Sequence, residues 1–124
     1  MESKLHNADV TEKIIGAAFA VYRELGYGFL ESVYQKAMQV ELHLAGFKCE
    51  IECPIKVKYR NVIVGDFRAD LFVNDLVIVE LKTAKDYSAE HEPQLLNELK
   101  ATETKVGLLI NFGRTKVEFK RMVF

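Results

Sequence analysis

With 124 residues, 49% of them hydrophobic, the chain can build one packed domain, 1–124, and is not of disordered composition. No apolar run approaches the ~20 residues of a membrane helix, and MESKLHNADV lacks the charged-then-apolar layout of a signal peptide, so a cytoplasmic protein without membrane contact is expected. The net charge of -1 gives no global pull toward nucleic acid, although residues 100–124 carry six Lys/Arg against two acids, a local +4 on a body of -5.

Asp9, with Glu12 three residues on, has the pattern of an N-cap and its capping-box partner after a loose lead-in from Met1 to Ala8. Val10, Ile14, Ala17, Ala18, Val21, Tyr22 and Leu25 then recur at helical spacing, and Gly26 stands at the stop position. A second helix is expected from near Leu30 to Ala45, closed by Gly46, with Val33, Tyr34, Ala37, Met38, Leu42 and Ala45 on one side. From Phe47 to Tyr59 apolar and charged residues alternate, which predicts a half-exposed strand with every odd-numbered side chain on one face. Pro54 suggests an edge or a bulge, and Arg60-Asn61 a turn. Cys49 and Cys53 lie in this strand, ~13 Å apart along it. That separation excludes a disulfide between them. With His43 and His91 as the plausible additions, a zinc site is disfavoured, and buried free thiols are expected.

Val62 to Val73 is the next strand, kinked at Gly65, and Leu76 to Thr83 follows it. A loop at Lys85 to Ser88 leads to a helix over about Ala89 to Thr102, with Pro93 in its first turn. Val106 to Phe112 is continuously apolar, as a strand covered on both faces requires, and Val117 to Phe124 closes an α-α-β-β-β-α-β-β order.

The stretch FRADLFVNDLVIVELK, Phe67 to Lys82, is apolar enough for two buried strands yet keeps Asp70, Glu80 and Lys82. Buried strands rarely hold charges unless these are paired, bind metal or do chemistry. A two-residue turn at Asn74-Asp75 would put Asp70 and Glu80 on opposite faces. A three-residue or bulged loop pairs Val73 with Val77 and sets Asp70 across from Glu80, with Cβ atoms ~5 Å apart. Lys82 then shares their face, and Leu71, Val73, Val77, Val79 and Leu81 take the other. The odd register is therefore expected. Two carboxylates so close repel unless neutralised, and a divalent ion would neutralise them. Such an ion, with the Leu81 carbonyl as a further ligand, would activate a bound water. Lys82 would hold that water or offset charge on a phosphate. The competing account is a structural ion pair between Lys82 and one of the acids.

Asp70 followed by Glu80-Leu81-Lys82 resembles the signature of the PD-(D/E)XK nuclease superfamily. The chain is also similar to the GxxExxY family within it, through Gly28, Glu31 and Tyr34 in GFLESVY, and through RADLFV, VIVELK, HEPQLLNELK and VGLLINFG. The resemblance implies an α/β (α+β) fold with the restriction-endonuclease-like αβββαβ core, a mixed sheet flanked by helices. It implies Glu31, Asp70 and Glu80 as ligands of Mg or Mn, and Asp70, Glu80 and Lys82 as the catalytic set. Gln94 and Tyr34 are its substrate contacts. Taken alone, Glu31 is also an acid favoured by a helix dipole, Gln94 a solvated or capping residue, and Tyr34 a core residue. Glu98 stands where related nucleases often have tyrosine. The expected function is Mg-dependent hydrolysis of nucleic-acid phosphodiesters by a weakly held homodimer. The alternatives are a non-catalytic nucleic-acid- or protein-binding module and a structural oligomer with a salt-bridged core.

Overall fold

The computed structural model describes residues 7–124. The expected lead-in lies, as far as His6, outside the described residues. Helix α1 spans Ala8–Leu25 and α2 spans Glu31–Leu44. The Asp9 capping box does not form, because the helix already begins at Ala8 behind a left-handed Asn7, leaving Asp9 within the first turn. An acid there still faces the positive end of the helix dipole. Strands β1 (Cys49–Tyr59), β2 (Val62–Val73) and β3 (Val77–Lys82) follow, then a single 3-10 turn at Ala89–His91 that runs into α3 (Glu92–Thr102). Strands β4 (Val106–Phe112) and β5 (Val117–Val123) complete a five-stranded mixed sheet of order β1-β2-β3-β4-β5. No helix among the described residues is long and apolar enough to cross a membrane.

The hairpins are made by residues that tolerate positive φ. Arg60 and Asn61 adopt φ of 50° and 66° between the paired Tyr59 and Val62. Asn74 and Asp75 adopt 53° and 57°, and the Leu76 amide donates to the Val73 carbonyl at 2.9 Å. Val73 then pairs with Val77, so the loop has the odd length. The turn is also anchored to β1, since the Asn74 side-chain oxygen accepts from the Lys48 amide at 2.8 Å.

Two cores sit on the two faces of the sheet. Val10, Ile14, Ala18 and Val21 of α1 and Tyr34, Met38 and Leu42 of α2 pack on Leu71, Val73, Val77, Val79 and Leu81. Leu95 and Leu99 of α3 pack on Ile78, Leu109 and Met122 from the other side. Strand β4 is buried along its whole length, Asn111 included, as a strand covered on both faces requires.

The uniform alternation expected along β1 is corrected. Cys49 and Ile51 join the α1/α2 core, whereas Cys53 and Ile55 join the α3 core. Glu52 lies between them with a φ of 53°, and the strand turns over there. Pro54 is accommodated because β1 is an edge strand. The expected kink at Gly65 corresponds to a bulge, where pairing shifts between Val57 and Lys58 opposite residues 63 to 65 of β2.

Candidate active site

Pairing between β2 and β3 runs from Val73–Val77 through Phe72–Ile78 to Leu71–Val79. Beyond Leu71, β2 leaves β3, so the expected placement of Asp70 directly across from Glu80 is corrected: the two are not cross-strand partners. The Leu81 amide would otherwise lose its partner on that side. The Asp70 side chain supplies one, its Oδ2 accepting from Leu81 N–H at 2.7 Å. The carboxylate is thus fixed against the backbone of the Glu80-Leu81-Lys82 stretch. A buried side chain of α2 steadies the same point, for Gln35 Nε2 donates to the Asp70 carbonyl at 3.0 Å and to Glu52 Oε2 at 2.7 Å. The turn-over of β1 at Glu52 and the departure of β2 at Asp70 are therefore held by one amide.

Glu80 is 6% exposed, on the same face of β3 as Ile78 and therefore under α3. Burial raises its pKa far above the ordinary carboxylate range, and the adjacent Glu98 and Asp70 raise it further. The Asp70 pKa is also raised, first by burial, while the Leu81 amide and Lys82 act in the opposite direction. Glu31, the first residue of α2, faces the same cluster. Its pKa is raised by partial burial and by Asp70, against opposing effects of Lys82 and His91. Lys82 therefore acts on both Asp70 and Glu31. Ion pairs seen among the described residues join Lys48 to Glu50 and Asp75, and Lys56 to Asp66. A salt-bridged core around Lys82 is not what these side chains form.

The loop after Lys82 is clamped by Asn111, which pairs with Lys82 across β3 and β4. Its Oδ1 accepts from the Ala84 amide at 2.9 Å and its Nδ2 donates to the Ala84 carbonyl at 3.0 Å.

Two expected contacts on the helices fall differently. Gln94 is exposed on α3 and donates through Nε2 to Glu98 Oε2 at 3.1 Å. It also lines a cavity of about 320 Å³ with Ile55, Val57, Phe67 and Asn97. Tyr34 is 0% exposed, stacks on Phe112 with ring centroids 4.4 Å apart, and donates its hydroxyl to the Gly26 carbonyl. It has no surface for a substrate, so the contact expected there is corrected to a core side chain that pins the turn before Glu31.

Sequence reasoning missed Gln35, Asn111 and the direction of Glu98. Gln35 and Glu98 fall at helical spacing from core positions of their own helices, next to Tyr34 and Leu99, and that spacing was the available signal. Asn111 interrupts an otherwise apolar central strand, where a buried amide needs partners.

No three His, Cys, Asp or Glu side chains among the described residues are already drawn together as an ion's ligand shell. The acids nevertheless fit a cation on one observation. Glu80 Oε2 is buried with no hydrogen-bond partner among the described residues. Carboxylates share hydrogen bonds with each other only through a proton. Once Glu80 is ionised, that oxygen has no donor among the described residues, and a hard divalent ion is a partner that would suit it.

A sequence model of the PD-(D/E)XK nuclease superfamily matches residues 8–122. The chain belongs to that superfamily. Proteins of this superfamily generally use divalent metals. Among solved structures, the chain of a crystal structure titled SSO0001 aligns with a TM-score of 0.57 at 15% identity, covering 98% of this chain. That likeness concerns the fold, and this chain spans 61% of that one. No curated protein matches the chain.

Proposed function

We propose that this PD-(D/E)XK protein is a Mg- or Mn-dependent nuclease of the GxxExxY family, a single domain hydrolysing phosphodiester bonds of nucleic acid. The observation that carries the reading is the orphaned, buried oxygen of Glu80 beside Asp70 and Lys82. Asp70 and Glu80, with Glu31 from the start of α2, would hold the ion. When bound, the ion would supply a water of lowered pKa and an electrophilic contact to the phosphoryl oxygen.

The chain's own groups do the rest. Leu81 N–H holds Asp70 in place at 2.7 Å, so the acid is oriented before any ion arrives. Lys82 is half-buried and not ion-paired among the described residues, which leaves its ammonium available to the attacking water or to charge developing on the phosphate. Gln94 and the cavity beside it offer the substrate a polar edge and an apolar wall.

The test is cleavage of single- and double-stranded DNA and RNA by purified protein with Mg²⁺ or Mn²⁺. Glu80→Ala and Lys82→Ala are each expected to lower the rate by about 10²-fold or more. Undiminished cleavage by Glu80→Ala would overturn the assignment. Tight nucleic-acid binding without metal or cleavage would instead favour a binding module on the same fold. The proposed working form is a homodimer, at twice the 14.2 kDa of one chain by light scattering. A lone monomer at assay concentration would contradict it.

A further inference from the structure

Glu98 needs a reason to be where it is. It lies on the inner face of α3 between Leu95 and Leu99, both fully buried, and is itself 3% exposed. A buried carboxyl group needs partners for both of its oxygens. The described residues give it no cation. One of its oxygens, Oε2, accepts from Gln94 Nε2 at 3.1 Å. The other, Oε1, is buried without a hydrogen-bond partner, as is Glu80 Oε2. The two carboxyl groups lie within side-chain hydrogen-bonding reach of each other. Two orphaned carboxylate oxygens, from different elements and each more than nine-tenths buried, thus converge under α3.

We propose that Glu98 is a further ligand of the divalent cation, joining α3 to the acids of β2 and β3, with Gln94 orienting its carboxylate. The proposal rests on the metal-dependent reading above. A hard dication takes oxygen ligands and satisfies both orphaned atoms at once. The amide on Oε2 fixes which oxygen is left to turn inward, a role that outer partners of ligating carboxylates commonly fill. The ion would then couple the position of α3, and of the cavity beside Gln94, to the state of the strand acids.

The experiment is Mn²⁺ uptake by the metal-free full chain, followed by electron paramagnetic resonance and titration calorimetry. It compares the parent protein, Glu98→Gln, Gln94→Ala and Asp70→Asn, each checked for folding by circular dichroism. Glu98→Gln is expected to weaken Mn²⁺ binding by about tenfold or more, and Gln94→Ala by severalfold. Mn²⁺ affinity unchanged in Glu98→Gln while Asp70→Asn loses it would overturn this proposal and leave the strand site intact. No uptake of millimolar Mn²⁺ by the parent would instead overturn the metal reading itself. Should Glu98→Gln fail to fold, Gln94→Ala decides, because Gln94 is exposed: undiminished affinity in that variant overturns the proposal.

Discussion

Burial at single residues sets the chemistry of this protein in two contrasting ways. The acids of the site are buried where a charge is wanted. Cys49 is buried where none is. Burial, and next the charge of Glu50, push its thiol from 9.0 up to about 11. A folded-state pKa above the unfolded one contributes stability that is full below about pH 9 and is lost as pH rises toward 11. The unfolding midpoint is therefore expected to fall across that window, and to fall less in Cys49→Ala. At pH 8, iodoacetamide should modify the half-buried Cys53 before Cys49, read by mass spectrometry. Equal rates at the two thiols would contradict the burial argument. The free-thiol expectation was legible because the residue count along a strand excludes a disulfide. The inward direction of Glu98 had a signal in its spacing from Leu95, but the carboxylate it meets on a distant strand had none.

At the scale of elements, the site depends on how closely α3 approaches the sheet. Gly107 of β4 makes that approach possible. A Cβ there would meet Leu95 side-chain atoms at 2.9 and 3.2 Å, and Leu95 is fully buried with little room to yield. Gly107→Ala is expected to destabilise the fold by about 1–3 kcal/mol in urea titration. It should also weaken metal-dependent cleavage, since Glu98 rides on the displaced helix. Unchanged stability would mean that α3 is not held at this distance. The β2–β3 register could be read in advance, because only an odd loop keeps the apolar set on one face and the acids on the other. The turn-over of β1 could not. Its alternating pattern runs unbroken through Glu52, and nothing but the bond from Gln35 on another element marks that residue for a positive φ.

Over the whole molecule, the two helices at the start of the chain and the helix before β4 divide the labour. The α1/α2 layer builds the larger core and presents Glu31 at the start of α2. Strand β3, parallel to β4 and only briefly paired with β2, carries Glu80 and Lys82 into the gap that β2 leaves. Topology therefore brings Asp70 of β2 against the backbone of β3 and Glu98 of α3 over Glu80, with Glu31 of α2 close enough to feel Asp70 and Lys82. The element order and the odd β2–β3 register were legible in local periodicity; the departure of β2 from β3 after Leu71, which leaves Asp70 without the expected place directly across from Glu80, was not. The contributions of Gln35, Glu98 and Asn111 depend on contacts between elements far apart in sequence, which periodicity does not encode. The most direct test of the central claim is a manganese soak of crystals, with diffraction collected at the metal's absorption edge. An anomalous peak bridging the Asp70 and Glu80 carboxylates is the expected result; an empty gap between them, or manganese bound elsewhere, would contradict it.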